Sequence, residues 1–272
     1  MTQKISRDAD ATVLSTTNKP TTKKKRDHRV KFEQWLSEVS PELKWHWKYQ
    51  RHIYTKLAAV TRGECRRLMV FMPPRHGKSE LITVRYTAWR LLHDQRLNVI
   101  LGSYNQKLAD KFSRRIKRIV QQSGSPPYEG GVAPASGDGV VLSSADGQTC
   151  ADANAENHPT ATAAPLRKEG NLLKQLNTAS EWETSGGGVV RSVGVGGGIA
   201  GFGAGLIVID DPVKNRAEAE SATYRERVWE WFNDDIYTRM EPNAAIILIQ
   251  TRWHEDDLAG RLLKEMKDGG EQ

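Results

Sequence analysis

Short, near-continuous apolar runs recur along the chain, and stretches whose apolar residues return every three or four positions separate several of them. Arg67–Met72 (RLMVFM), Leu97–Gly102 (LNVILG), Leu206–Asp210 (LIVID) and Ala245–Gln250 (AIILIQ) have the length and patterning of strands buried on both faces. Val189–Val195 reads as a further strand. After the first run, Leu81, Val84, Ala88, Leu91 and Leu92 lie on one stripe of a helix beginning at Lys78. After the second, Asn105 is placed to cap a helix whose stripe is Leu108, Phe112, Ile116 and Ile119. Residues 32–39 predict a short amphipathic helix before the Ser40-Pro41 break, and a helix runs from the cluster Trp45, Trp47, Tyr49 to about Val60. Glu218–Met240 reads as helical, with Tyr224, Val228, Trp231 and Phe232 facing inward. Strands alternating with helices predict an α/β fold, a mostly parallel sheet with helices on both faces.

Length and charge refine the division into regions. The 272 residues suffice for one large α/β domain with an appendage. Residues 1–31 carry nine Lys or Arg against three Asp or Glu, a balance of +6 out of the total of +7, so the domain itself is almost neutral. That segment is rich in Thr and Lys and poor in large apolar residues, and it reads as a basic disordered tail, either solubilising or in contact with a polyanion. The remainder, 32–272, reads as one domain interrupted at about 121–178 by a Gly-, Ala-, Ser- and Pro-rich stretch that reads as a flexible insertion; 119–166 lacks Lys and Arg altogether. No apolar run reaches the roughly 20 residues of a membrane span, and no secretory signal precedes the domain. Cys65 and Cys150, with no CxxC pairing, support neither a disulfide framework nor a zinc site, so a cytoplasmic location without membrane contact is expected.

Candidate chemistry concentrates at strand ends. Pro73–Glu80 (PPRHGKSE) lies between a predicted strand and a predicted helix, the setting of a phosphate-binding loop. There Gly77 turns backbone amides toward an anion, Lys78 reaches β- and γ-phosphates, and the Ser79 hydroxyl ligates Mg²⁺. The full pattern GxxxxGK[ST] requires glycine at position 72, where this chain has Met72. The strand Leu206–Asp210 ends in two acids, Asp210 and Asp211, suited to holding Mg²⁺ and to activating water, respectively. The glycine-rich stretch Gly194–Gly205 is not a dinucleotide fingerprint, because it precedes a strand and does not lead into a helix. His254, Glu255, Asp256 and Asp257 lack HExxH spacing, and their acids suit a helix N-terminus. Lys107, Lys111, Arg114, Arg115, Lys117 and Arg118 form a basic helix face, which is either solvated or in contact with DNA phosphates.

Taken together, RLMVFMPPRHGKSE, the segment from Ser192 to Phe232, and AIILIQTRWHEDDLAGRLL resemble the large terminase subunit of tailed bacteriophages, over roughly Trp45–Lys264. The resemblance implies a P-loop NTPase of the additional-strand type, an ATP- and Mg²⁺-dependent motor that translocates double-stranded DNA into a procapsid. Its partners would be the portal protein, the small terminase subunit and further copies in a ring, inside the bacterial cytoplasm. By the same resemblance Arg75 contacts the γ-phosphate, Gln50 the adenine, and Gln250, Thr251 and Arg252 form a coupling motif that senses nucleotide state. The nucleotide-binding set is then Gln50, Pro74, Arg75, His76, Gly77, Lys78, Ser79, Glu80 and Gln250; the catalytic set is Lys78, Asp211, Arg75 and Thr251; the metal set is Ser79 and Asp210. Arg191, Arg216 and Arg225 are candidates for an arginine given to a neighbouring subunit. The family's RNase H-like nuclease domain has no counterpart in these residues, so no nuclease activity is expected of this chain. Competing readings are a helicase-like or remodelling DNA-dependent ATPase, and a truncated prophage remnant that binds nucleotide without turnover.

Overall fold

The computed structural model describes residues 12–15, 24–123 and 177–269. The insertion expected at about 121–178 falls almost wholly outside them. Among the described residues seven strands form one sheet: β1 (Thr12–Ser15), β2 (Arg67–Phe71), β3 (Val99–Ser103), β4 (Glu181–Glu183), β5 (Val189–Gly194), β6 (Ala204–Asp210) and β7 (Met240–Gln250). Their spatial order is β1-β2-β7-β6-β3-β5-β4. The five inner strands run parallel, and β1 and β4 close the edges antiparallel. The fold is therefore α/β with a mostly parallel sheet.

Side-chain alternation divides the core in two. Leu68 and Val70 of β2, Leu206 and Val208 of β6, and Ile247 and Ile249 of β7 face one apolar cluster. It is covered by α1 (Lys24–Val39), α2 (Lys48–Thr61), a π-helical segment Ser79–Tyr86 running into α3 (Thr87–His93), and α4 (Gln106–Ser123). Met69, Ile207, Ile209, Ile246 and Leu248 face the opposite cluster. That face is covered by α5 (Arg216–Glu220), α6 (Ala222–Glu230), a second π-helical segment Trp231–Ile236, and α7 (Leu258–Lys267). Strands buried on both sides explain why the apolar runs are continuous and not alternating.

Several elements differ from the sequence reading. Helix α1 starts at Lys24 and β1 pairs with β2, so regular structure reaches into the segment read as a tail. Strand β1 is held by backbone pairing, which apolar patterning does not report. The span Glu218–Met240 breaks at Ser221, whose hydroxyl accepts from the Tyr224 amide and starts a new helix. Strand β7 begins five residues earlier than expected, its exposed start lying beyond the apolar run. Asn105 caps α4 as expected, accepting from the Leu108 amide at 2.9 Å.

Register brings the carboxyl ends of the inner strands level. Ser103 is paired with Asp210, Asp210 with Ile249, and Gln250 with Phe71. Gly102, on β3, lies directly beneath Trp231, where an added Cβ would sit 2.8 Å from the indole ring. Replacing Gly102 by Ala should overpack this contact and cost about 1–3 kcal/mol. A thermal unfolding midpoint unchanged from wild type would show that the sheet and the Trp231 segment are not in such close contact.

Candidate functional site

The loop after β2 must reverse direction to feed the π-helical segment, and two residues make the turn with positive φ: Arg75 at 66° and Gly77 at 75°. Glycine adopts this conformation freely, whereas for arginine it is strained. The turn delivers Lys78 inward, with 5% of its surface exposed. Its ammonium donates to Asp211 Oδ1 at 2.8 Å and lies 2.7 Å from Oδ2; it also donates to Thr251 Oγ1. Asp211 stands just beyond β6, likewise at positive φ (44°), and Oδ1 also accepts from the Thr251 amide at 2.7 Å. Lys78, Asp211 and Thr251, from three separate strand ends, thus close on one another.

Asp210 lies one residue back and is 1% exposed. Ser79 Oγ donates to its Oδ1 at 3.0 Å, Thr83 Oγ1 donates to Oδ2, and Ser103 Oγ donates to its backbone carbonyl at 2.9 Å. Burial, reinforced by the neighbouring Asp211 carboxylate, pushes Asp210 up to about 6; the Thr83 and Ser79 hydroxyls and the Lys78 charge oppose the shift. Thr83 was missed by the sequence reading. Its signal was a second hydroxyl four residues after Ser79, on the same side of the helix. The wider π-helical turn gives both hydroxyls the same carboxylate.

Two clefts meet over the loop, sharing Arg75, Gly77 and Glu80. One, of about 390 Å³, is lined by Pro74, Lys78, Ser79, Asp211, Lys214, Thr251 and Trp253. The other, of about 560 Å³, is walled by Lys44, Trp45, Trp47, Tyr49, Gln50 and His76. Tyr49 donates its hydroxyl to the His76 carbonyl at 3.3 Å and its ring meets that of His76 edge-on. A polar, cationic half beside an aromatic half suits a phosphate-bearing ligand with a planar base, and the volumes fall in the range of small-molecule sites.

Not every expected residue reaches this place. Gln250 is 1% exposed and its amide has no hydrogen-bond partner among the described residues. It continues the Ile246 and Leu248 side of β7, opposite to the face served by Lys78, because adjacent strand residues alternate. It therefore lines neither cleft. Gln50 does line one, but its Oε1 accepts from the Trp47 amide and its Nε2 donates to the Lys44 carbonyl, fixing the start of α2. Glu80 pairs with Arg85 at 2.9 Å and with Arg115.

Arginines take up the acids after β7. Asp256 receives Arg225 and Arg261, while Asp257 pairs with Arg252 and caps α7 by accepting from the Gly260 amide. Of the candidate donor arginines, Arg191 is held by Glu181 and Arg225 by Asp256; Arg216 makes an exposed contact with Glu220.

Ser79 and Asp210 offer a hydroxyl and a carboxylate oxygen 3.0 Å apart. This hard-oxygen pair fits Mg²⁺, which typically takes one or two carboxylates and completes its shell with water and phosphate. Comparison of the chain with protein families gives no match, and comparison with curated proteins gives none. Among the described residues, no helix is long and apolar enough to cross a membrane.

The raised Asp210 carboxyl has a consequence for stability. An unperturbed carboxyl titrates near 3.8, so between that value and about 6 the folded chain holds a proton that the unfolded chain has released. The stabilisation is complete below 3.8 and is lost as pH rises through 6. Without magnesium, wild-type thermal midpoints should fall more steeply from pH 4 to pH 7 than those of Asp210→Asn. Parallel pH profiles for the two proteins would contradict the burial argument.

Proposed function

We propose that the chain is an ATP-hydrolysing, DNA-translocating motor of the viral genome-packaging kind, with its catalytic centre at the carboxyl edge of the sheet. The observation that carries the hydrolase half is the convergence of Lys78, Ser79, Asp210 and Asp211 from two separate strand ends, in hydrogen-bonding contact. The order of strands supports the P-loop reading: β7 is inserted between the loop-bearing β2 and the acid-bearing β6, which suits the additional-strand class. The packaging half rests on the resemblance of the three sequence blocks to large terminase subunits.

In this reading Lys78 leaves Asp211 to stabilise β- and γ-phosphate oxygens, and Arg75 adds a second cation at the lip shared by the two clefts. Ser79 and Asp210 hold Mg²⁺, which when bound neutralises phosphate charge. Once released by Lys78, Asp211 is free to orient and deprotonate the attacking water. Thr251, linked to Asp211 through its amide, registers the change at the end of β7. The aromatic wall of Trp47 and Tyr49 receives the base. Double-stranded DNA, a portal, a small subunit and sister subunits remain the partners implied by the resemblance.

Steady-state phosphate release, with and without linear double-stranded DNA, tests the proposal. Turnover should depend on magnesium, rise with DNA, and drop at least about a hundredfold in Lys78→Ala and in Asp211→Asn. Wild-type rates in Lys78→Ala would overturn the site assignment, and unwinding of a tailed duplex would point to a helicase instead.

A further inference from the structure

The polar side of α4 carries charge that the site does not use. Lys107, Lys111, Arg114 and Arg118 are all exposed, and none has a hydrogen bond or ion pair among the described residues. At 100° per residue the four fall within an arc of about 60°, and at 1.5 Å per residue they span about 16 Å. The other two cations of the helix are engaged elsewhere: Arg115 pairs with Glu80, and Lys117 bonds Asn177 and lies over the Trp182 ring. The single acid of α4, Asp110, accepts from Ser192 Oγ at 2.6 Å and from Gln106. It therefore does not neutralise the stripe.

At the amino end of this stripe the surface opens into a cleft of about 360 Å³, lined by Tyr104, Asn105, the Gly194–Gly197 turn, Tyr224 and Arg227. The guanidinium of Arg227 has no carboxylate partner among the described residues; its one acceptor is the Val195 carbonyl at 3.5 Å. A Cβ at Gly196 would sit 2.4 Å from Arg227 Nη2, so the glycine is what allows the guanidinium to lie against the turn. Outside residues 1–31 the chain has a net charge of only +1, so five cations without an acidic partner among the described residues are a local feature of this surface.

We propose that this surface, the α4 stripe ending at Arg227, binds the phosphate backbone of double-stranded DNA. Regularly spaced cations on a rigid helix match the regular charge of a duplex and require no base contact, so binding should be insensitive to sequence and strongly dependent on salt. The inference deepens the DNA-dependent reading above, but its test needs no ATP.

Fluorescence anisotropy of a labelled 30-base-pair duplex, titrated with the full chain over a range of salt without nucleotide, reads the surface directly. Changing Lys107, Lys111, Arg114 and Arg118 together to Ala should weaken binding at least tenfold. It should also flatten the slope of log K against log salt by about 3 to 4, and Arg227→Ala should flatten it by about 1. A control with Lys48, Arg96, Lys264 and Lys267 changed to Ala removes the same charge elsewhere on the surface and should bind like wild type. If the fourfold variant has lost its thermal transition, Lys111→Ala with Arg114→Ala should still lower the slope by about 2. No duplex binding by the wild type, a fourfold variant that binds like wild type, or a control that loses as much would overturn the proposal. Failure of the ATPase reading shows separately, as turnover unaffected by Lys78→Ala.

Discussion

Two adjacent carboxylates at the end of one buried strand set the terms for the whole molecule. Asp210 and Asp211 repel each other, and Asp210 is almost wholly removed from water. Such an arrangement survives only where donors are supplied, and here they arrive from outside β6. Lys78 answers Asp211, while Ser79 and Thr83 answer Asp210. A positive φ at Asp211 turns the second carboxylate away from the first and toward β7. The cost of placing charge at this spot is large enough that the fold around it has little freedom.

The sheet meets that demand through its register. Because β2, β6 and β7 are parallel and end level, a loop leaving β2, the acids leaving β6 and Thr251 leaving β7 meet without long excursions. Both faces of these strands are covered by helices, and the two clefts open at the carboxyl edge, where ligands of open α/β sheets bind. Glu80 extends the arrangement to α4: it sits beside Ser79 and pairs with Arg115, which ties the basic helix to the lip of the cleft. The segment Ser79–Tyr86 thus links the loop that carries Lys78 to the helix that carries the basic stripe.

Much of this was legible in the chain. Continuous apolar runs marked the inner strands because both of their faces are buried, and GKS after one run and DD after another named the residues that meet. What escaped has physical reasons. Strand β1 is held by backbone pairing, and backbone hydrogen bonds leave no side-chain signature. The π-helical turn that brings Thr83 to Asp210 still satisfies a three-to-four spacing, so periodicity could not distinguish it from an α-helix. The resemblance puts Gln250 in a coupling motif with Thr251, but adjacent residues on a strand face opposite sides, and the alternation sends its amide into the other core. Gln50 was found near the expected cleft, yet hydrogen bonds at the start of α2 already occupy its amide. The acids after β7 are taken up by arginines distant in sequence, which local spacing does not reveal.

A crystal structure of the chain with magnesium and a slowly hydrolysed ATP analogue would show directly whether nucleotide takes Lys78 from Asp211. Lys78 Nζ should lie on phosphate oxygens with its bonds to Asp211 and Thr251 broken, the metal between Ser79 and Asp210, and the base against the Trp47 and Tyr49 wall. Nucleotide bound elsewhere, or Lys78 still held by Asp211 beneath a bound triphosphate, would contradict this arrangement.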